Sequence, residues 1–246
     1  MKSAYVLLIA AAMLPSAACS AEKGSDATSN SSAPIKPIAP PQGGDWTKMV
    51  VNTAEGGVLM GNPNADVKII EYGSLTCPHC AEFAENGAPQ LIDKYVKSGR
   101  VSYEFRNFLR DGLDMALSLV AHCAGPEKFF PLADATFKSQ RELFEKAQAA
   151  TPEQQQQLQA NPSPQLFAEI AGVQQWAAQR GVPSARSNAC LTNQNLQNQL
   201  MQTSSDATTQ FPEFSGTPTF ILNGEQLKQT ATWDKLEPAI RDALGS

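Results

Sequence analysis

Histidine and cysteine are scarce in this chain of 246 residues, which has two of the first and five of the second, and only 17% of its residues are charged. Five cysteines are too few for a disulfide-rich scaffold, and a chain of this length buries a core without such staples. No lysine and arginine stretch is long enough to form a nucleic-acid surface, and the formal net charge is −5, so we expect no nucleic acid partner. The composition predicts one folded unit with extensions.

The apolar run near the N-terminus, Ala4 to Leu14, is too short to cross a bilayer, which takes about 20 apolar residues. Lys2 precedes the run and small residues at positions 16–18 follow it, which is the order of an export signal. Residues 1–19 are therefore predicted to be a signal peptide, with an uncleaved membrane anchor as the alternative. Export places the rest of the chain in the periplasm or another extracytoplasmic space, where disulfides persist.

Cys19 follows Ala17 and Ala18 directly, and in this it resembles the lipidated cysteine of bacterial lipoproteins. Those proteins usually have leucine three residues before the cysteine, whereas this chain has Ser16, so ordinary cleavage stays open. Residues 20–45 are rich in serine, proline, glycine and alanine, which predicts a disordered linker. As a flexible coil it would span roughly 28 Å, which suits a tether between a lipid and a folded domain.

The folded part is predicted to begin near Trp46 with a strand–helix–strand unit. Residues 67–72 form a β-rich run after a turn signal. Residues 78–97 have helical spacing with a kink near Gly87, and residues 101–108 return to a strand pattern. At this length the unit is βαβ, so its two strands should be parallel and its crossover right-handed.

Residues 111–206 have a different character, because helical spacing dominates and β-branched residues are few. The predicted helices are 113–123, 126–137, 140–150 and 164–180, with a further helix start capped by Thr151. This block predicts a helical insertion.

Strand signals return after the helical block. Residues 217–222 and 225–227 flank Asn223-Gly224, which is the strongest short-range hairpin signal. A closing helix capped by Thr232 should follow and run to Leu244. The order βαβ, helical block, ββα predicts an α/β fold in which a helical insertion interrupts a sheet.

A Cys-Pro-His-Cys motif at residues 77–80 stands between a predicted strand and a predicted helix. Cys77 is expected at the helix N-cap or first turn, where unpaired N–H groups and the helix dipole stabilise an anion. Its thiol pKa should fall well below the ordinary value of about 8.5 and make it a thiolate near neutrality. Pro78 suits the first turn, His79 can add positive charge or a hydrogen bond beside the sulfur, and Cys80 is expected to be the buried resolving thiol.

Residues 69–80, which contain this motif, resemble the active-site segment of the DsbA family. Gly216-Thr217-Pro218-Thr219-Phe220 is similar to that family's cis-proline loop, where Thr217 and Pro218 would lie beside the reactive sulfur and bind substrate peptide. The resemblance covers residues 48–246. It implies a thioredoxin fold (βαβ–ββα) over residues 46–246 with the α-helical insertion at about 111–206. It also implies a thiol–disulfide oxidoreductase that works through a mixed disulfide without a cofactor.

Glu71 lies six residues before Cys77, where thioredoxin-fold enzymes keep a buried acid near the resolving cysteine. The resemblance implies that Glu71 has a raised pKa and relays a proton to or from Cys80. The alternative is an exposed carboxylate at the end of a strand.

Cys123 and Cys190 both lie in the helical block, and in an exported protein they are predicted to form a structural disulfide between two insertion helices. Closing a loop of about 68 residues would stabilise the fold by about 4 kcal/mol in the chain-entropy model. A redox-tuning or electron-relay role is the alternative. His122, beside Cys123, is predicted to be structural or exposed rather than catalytic.

The direction of the redox chemistry stays open at this point. Thr217 departs from the valine of the best-known oxidants of the family and is similar to the disulfide isomerases. Those isomerases usually carry an N-terminal dimerisation domain, which residues 20–45 cannot form. The prediction is a monomeric oxidant of reduced, unfolded exported polypeptides, for which the family implies a membrane quinone-linked partner. An isomerase or reductase is the alternative.

A metal carrier using Cys77, His79 and Cys80 belongs to another class, since two thiolates and an imidazole can hold a soft ion. A stable zinc site usually takes four ligands, and no second Cys-x-x-Cys or histidine pair is present, so no metal is predicted. A binding module that keeps the fold without redox activity is a third possibility, which the intact motif and proline loop disfavour.

Overall fold

A six-stranded sheet forms the centre of the fold, which a computed structural model describes for residues 35–246. The strands are β1 (Val50–Asn52), β2 (Val58–Gly61), β3 (Val67–Gly73), β4 (Val101–Asn107), β5 (Thr219–Leu222) and β6 (Glu225–Gln226). Their order across the sheet is β1-β2-β4-β3-β5-β6. β3 and β4 pair in parallel and the other neighbours are antiparallel, which confirms the α/β prediction with its βαβ unit and closing hairpin.

β1 and β2 have no counterpart among the predicted strands. At three and four residues, each is too short to show the alternation that marks a strand in a sequence. They form a hairpin, and β2 pairs with β4, so they extend the sheet on the side away from β3.

The predicted signal peptide at residues 1–19, with Cys19, and the predicted linker as far as residue 34 lie outside the described residues. The last part of that linker differs from a disordered coil, because it contacts the domain. The Ile38 amide donates to the Ser98 carbonyl at 2.8 Å, and Trp46 Nε1 donates to the Ile38 carbonyl at 2.8 Å. The folded part therefore begins upstream of Trp46.

The helix predicted over residues 78–97 is present with its kink. It consists of α1 (Pro78–Asn86), α2 (Ala88–Gln90) and a π-helical segment (Leu91–Val96). Pro89 has no N–H to continue the hydrogen-bond ladder of α1. Gly87 is needed at the break, because a Cβ there would lie 2.5 Å from the Phe83 ring.

Seven helices form the insertion between β4 and β5. They are α3 (Gly112–Cys123), α4 (Pro126–Gln148), α5 (Pro152–Ala160), α6 (Pro164–Ile170), α7 (Val173–Ala178), α8 (Ser184–Leu191) and α9 (Gln194–Gln210). Residues 126–137 and 140–150, predicted as two helices, form the single helix α4, because the polar residues between them do not break a helix. The predicted helix 164–180 instead divides at Gly172, whose φ of 70° is left-handed.

The two predicted helix caps differ in detail. Thr151 forms a capping box with Gln154 at the start of α5. α10 (Trp233–Leu244) begins directly after Thr232, but that hydroxyl contacts Asp234 Oδ1 at 2.5 Å and caps no backbone N–H. Both helices nevertheless begin where the sequence predicts.

Apolar side chains of β3, α1, β5 and α10 pack together on one side of the sheet. A second core lies within the insertion around α3 and reaches the sheet at Phe105. Because side chains alternate along a strand, Glu71 faces the same side of β3 as Val67 and Ile69, which belong to the first core. The fold thus places a carboxyl group among apolar residues.

Candidate active site

The two cysteines of the motif lie at the start of α1, directly after the loop that leaves β3. Cys77 is the N-cap residue of α1, and Pro78 occupies its first turn. Cys77 is 4% exposed and Cys80 is fully buried, and both are free thiols. Cys77 Sγ lies 3.2 Å from the Thr217 carbonyl oxygen, and the Ser74 amide donates to Cys80 Sγ at 3.5 Å.

The thiol pKa values of the pair are displaced in opposite directions. A hydrogen bond from Cys80 lowers the pKa of Cys77 from 9.0 to about 5 against the opposing effect of burial, and contacts from Thr217 and the amides of Cys80 and His79 add to this. Burial raises the pKa of Cys80 well above its ordinary value. The hydrogen bond to Cys77 and the charge of Glu71 raise it further. At neutral pH Cys77 is therefore a thiolate and Cys80 is a thiol.

The His79 side chain does not take the position that the sequence suggested. It is 75% exposed, and its Nδ1 lies 3.6 Å from Glu82 Oε2 on the next turn of α1. Its contribution to the Cys77 thiolate comes from the backbone amide instead. Helix geometry explains this, since the N–H groups of the first turn point toward the N-cap while side chains project outward.

Glu71 is a buried acid, 1% exposed, and is not the exposed strand-end carboxylate of the alternative interpretation. Burial raises its pKa to about 8, while a hydrogen bond from the Tyr103 hydroxyl to Glu71 Oε2 at 2.6 Å opposes the rise and the charge of Cys77 adds to it. A carboxyl group that exchanges a proton near neutrality therefore lies close enough to Cys77 and Cys80 to interact with them electrostatically.

The loop with the predicted cis-proline lies beside Cys77. The Thr217–Pro218 peptide bond is cis, and Pro218 is buried. A cavity of about 420 Å³ adjoins this loop and is bounded by residues 215–219 and 226–231. The loop that contacts Cys77 therefore also borders a concave surface lined by polar residues.

A group of polar side chains from the insertion surrounds the loop before Cys77, and it was not predicted. Asp114 Oδ2 accepts from the Ser74 hydroxyl at 2.6 Å, and Asp111 Oδ2 accepts from the Thr76 hydroxyl at 3.0 Å. Asp111 also caps α3, accepting from the Asp114 amide at 2.8 Å. In the sequence the two aspartates have the appearance of ordinary helix-start residues, which hides their contacts with a distant loop.

Cys123 and Cys190 form a disulfide that joins α3 to α8, with their Cα atoms 5.6 Å apart. His122 beside it is half-buried, and desolvation lowers its pKa to about 4, so it is neutral at physiological pH. Its Nε2 lies 2.7 Å from Asn107 Oδ1. His122 is therefore held in the insertion by a hydrogen bond and stands apart from the motif.

Two further observations apply to the described part of the chain. Within residues 35–246, no three histidine, cysteine, aspartate or glutamate side chains form a group that could hold a metal ion. Across the same span, the helices are either too short or too polar to cross a membrane.

A Cys-x-x-Cys pair at a helix start, beside a cis-proline on a mixed sheet with a helical insertion, defines a DsbA-like thioredoxin-fold protein. The thioredoxin family model matches residues 53–242, and the chain belongs to that family. It is 32% identical to a solved structure described as a protein-disulfide isomerase from Novosphingobium aromaticivorans, with a TM-score of 0.73 over 79% of this chain and 100% of that one. Wolbachia pipientis alpha-DsbA1, at 23% identity, has the same fold, with a TM-score of 0.60 over 76% of this chain and 90% of its own.

Among curated relatives, a Rickettsia prowazekii protein provisionally named a protein-disulfide oxidoreductase is 24% identical over 80% of this chain. Disulfide bond formation protein D of Bacillus subtilis is 22% identical over 77% of this chain and 78% of its own length. The match spans only 65% of the length of the Rickettsia prowazekii protein.

Proposed function

We propose that this chain is a thiol–disulfide oxidoreductase that exchanges disulfides with other polypeptides through Cys77 and Cys80. One observation carries the proposal: two cysteines one helical turn apart have thiol pKa values displaced in opposite directions. A thiolate at Cys77 is the group that attacks or leaves, and a thiol at Cys80 is the group that resolves. The names of the Rickettsia and Bacillus relatives support the same activity.

In the oxidising direction the reaction has two steps. A substrate thiolate attacks Cys77 Sγ, breaks the Cys77–Cys80 bond and forms a mixed disulfide, and Cys80 leaves as a thiolate that takes up a proton. The second substrate thiol loses its proton and attacks the substrate sulfur of the mixed disulfide, so that Cys77 leaves as a thiolate. The substrate loses two electrons and the cysteine pair gains them.

Glu71 is the proposed source of the proton for Cys80. A carboxyl with a pKa of about 8 is largely protonated at neutral pH and can give its proton to a new thiolate nearby. The same group, once ionised, takes the proton back when the thiol must be reoxidised. Thr217 and Pro218 are the proposed contacts for the substrate backbone, supported by the cavity that adjoins their loop.

Disulfide donation is the direction that the site favours. A thiolate stabilised at Cys77 stabilises the reduced pair, and this makes the oxidised pair a stronger oxidant. Isomerisation or reduction is the second candidate. It is supported by Thr217 before the proline and by the relative described as a protein-disulfide isomerase.

We also infer that the chain works outside the cytoplasm, with reduced exported polypeptides as its substrates. The signal-like residues 1–19 and the disulfide between Cys123 and Cys190 support this, because such bonds persist in oxidising compartments. Reoxidation by a membrane quinone-linked partner is what the DsbA resemblance implies, and Cys19 is the proposed lipid attachment.

The test is the reduction potential of the Cys77–Cys80 pair, measured by equilibration with glutathione in the chain carrying Cys19→Ser. A value near −120 mV, like that of DsbA, is expected for a disulfide donor. A value at or below about −200 mV would contradict donation and favour a reductase or isomerase. The absence of any exchange would refute the oxidoreductase proposal. The same measurement on a chain that also carries Cys123→Ser and Cys190→Ser shows whether the measured potential belongs to the Cys77–Cys80 pair.

A further inference from the structure

The carboxyl group of Asp114 is the most fully buried acid outside the proposed relay, with no exposed surface. It accepts hydrogen bonds from the Ser74 hydroxyl at 2.6 Å, the Leu75 amide at 3.0 Å and the Arg110 amide at 3.1 Å. A carboxyl group is costly to bury unless donors surround it, so these bonds account for its position. A fourth donor is the Ser118 hydroxyl, 3.5 Å from Asp114 Oδ1 within α3. Two of the four donors belong to the loop between β3 and Cys77, which Asp114 thereby fastens to α3.

Ser74 connects this carboxyl group to both reactive cysteines. Its amide donates to Cys80 Sγ at 3.5 Å, and its carbonyl accepts from the Cys77 amide at 3.1 Å. Its hydroxyl, on the same residue, is the group bound by Asp114. A shift of the Ser74 backbone away from Asp114 would therefore displace a hydrogen bond to Cys80 Sγ and another to the Cys77 amide.

Other insertion residues hold the rest of the loop in the same way. The Arg110 guanidinium donates to the Thr76 carbonyl at 3.0 Å. The Gln140 amide group donates to the carbonyls of Leu75 at 2.9 Å and Cys77 at 3.0 Å. These side chains bind backbone carbonyls of the loop. Of Asp114, Arg110 and Gln140, only Asp114 binds Ser74, whose amide contacts Cys80.

We propose that Asp114 is a positioning residue of the redox site, which through Ser74 fixes the loop that aligns Cys77 and Cys80. The inference rests on the proposed oxidoreductase function and adds a role for the helical insertion. Asp114 touches neither sulfur, so its effect passes through Ser74.

The direction of the effect follows from the contacts of the two sulfurs. The hydrogen bond from Cys80 is the largest influence that lowers the pKa of Cys77, and it depends on where Cys80 Sγ is held. Loosening Ser74 should lengthen that bond, raise the pKa of Cys77 and destabilise the reduced pair. The variant protein would then be a weaker oxidant.

The experiment compares the full chain with its Ser74→Ala, Asp114→Asn and doubly substituted variants. Asparagine matches aspartate in size but has one oxygen, so it cannot accept from both Ser74 and Leu75. The measurements are the equilibrium constant with glutathione and the pKa of Cys77 from thiolate absorbance.

Each single variant should oxidise glutathione about tenfold less favourably, which corresponds to about 30 mV. The double variant should add little to the effect of Ser74→Ala, because Asp114 is proposed to act through Ser74. Ser187→Ala is the matched control, since this buried hydroxyl bonds only within its own helix region and should leave both readouts unchanged.

Three results would overturn the inference. A lower unfolding free energy with an unchanged equilibrium constant in both single variants would show a purely structural role. A shift toward stronger oxidation in Asp114→Asn, with none in Ser74→Ala, would show that the carboxylate acts by its charge. If the wild-type chain itself does not exchange with glutathione, the proposed function is refuted, and the inference fails with it. This result differs from the other two, in which the wild type exchanges and only the role of Asp114 is refuted. If Asp114→Asn does not fold, the equilibrium constant and the Cys77 pKa of Ser74→Ala alone decide whether the inference holds.

Discussion

At the scale of single residues, hydrogen bonds account for the low pKa of Cys77 more than a neighbouring side-chain charge does. The His79 ring, the nearest candidate for positive charge in the sequence, is exposed and faces Glu82. The hydrogen bond from Cys80 is instead the largest cause of the low pKa of Cys77. Hydrogen bonds from the Thr217 side chain and from two backbone amides make smaller contributions. The pKa of Cys77 should therefore change when hydrogen-bond donors are removed, and it should change little when the His79 side chain is replaced.

Thr217→Val tests this dependence on donors. Because a hydrogen bond from the Thr217 side chain lowers the pKa of Cys77, and valine lacks the hydroxyl, the substitution should raise that pKa. A net contribution of about 1 kcal/mol for one hydrogen bond corresponds to a little under one pKa unit. The measurement is the pH dependence of thiolate absorbance. Thr219→Val is the matched control, because that hydroxyl donates to the Gly216 carbonyl at 2.6 Å. Equal changes in both variants would point to disturbance of the loop and contradict the assignment.

Glu71→Gln should change how stability depends on pH. The folded-state pKa of Glu71 is about 8, above its ordinary value of 4.5, so the folded state favours the protonated acid. Its stabilising contribution is complete below pH 4.5 and is lost as the pH rises toward 8. The loss has a ceiling of about 5 kcal/mol, because a pKa difference of one corresponds to about 1.36 kcal/mol.

Glutamine cannot ionise, so the variant should lose less unfolding free energy than the wild type between pH 5 and pH 8. Urea titrations of both reduced proteins at these two pH values measure the difference, and titration of the other groups largely cancels in the comparison. Parallel curves for the two proteins would mean that Glu71 is not protonated in the folded state. The same variant should resolve mixed disulfides more slowly if Glu71 relays the proton.

At the scale of helices and strands, the segments with clear periodicity were predictable and the others were not. The strand ending before the motif, the kinked helix after it and the hairpin at Asn223-Gly224 all follow from local patterns. β1 and β2 are too short to carry such a pattern, and α4 shows that a polar pair inside a helix does not end it.

The site was predictable only where its residues are adjacent in sequence or belong to a known motif. Cys77 and Cys80 share one helical turn, and Pro218 lies in a loop that resembles a known one. Asp114 contacts a loop 40 positions away in the chain, and nothing in its own neighbourhood indicates that contact. Contacts of this kind depend on how α3 packs against the end of β3, which no local pattern specifies.

The disulfide between α3 and α8 should stabilise the insertion. The cysteines are 67 positions apart, and closing a loop of that length removes entropy from the unfolded chain. Replacing both cysteines by serine should lower the unfolding free energy by about 4 kcal/mol in urea titrations. The reduction potential of Cys77–Cys80 should stay unchanged, and a change in it would favour the redox-tuning alternative for this disulfide.

At the scale of the whole molecule, the helical insertion supplies part of the proposed active site. Its first helix provides Asp111 and Asp114, and α4 provides Gln140, so each residue of the loop before Cys77 is held from the insertion side. The sheet side provides Glu71, Tyr103 and the proline loop. The reactive pair therefore lies where the two parts of the fold meet, and changes in either part should reach it.

The last prediction concerns attachment to a membrane. If Cys19 carries a lipid, the wild-type chain expressed in a Gram-negative host should partition into detergent with a mass increased by acyl groups, and Cys19→Ser should not. Cys77→Ser is the matched control, because it removes a cysteine without affecting lipidation. Because the Ile38 amide already binds the Ser98 carbonyl, 18 residues (20–37) separate Cys19 from the first of these contacts. Release of the wild-type chain into the soluble fraction at its peptide mass would instead favour ordinary signal cleavage, as the serine at position 16 allows.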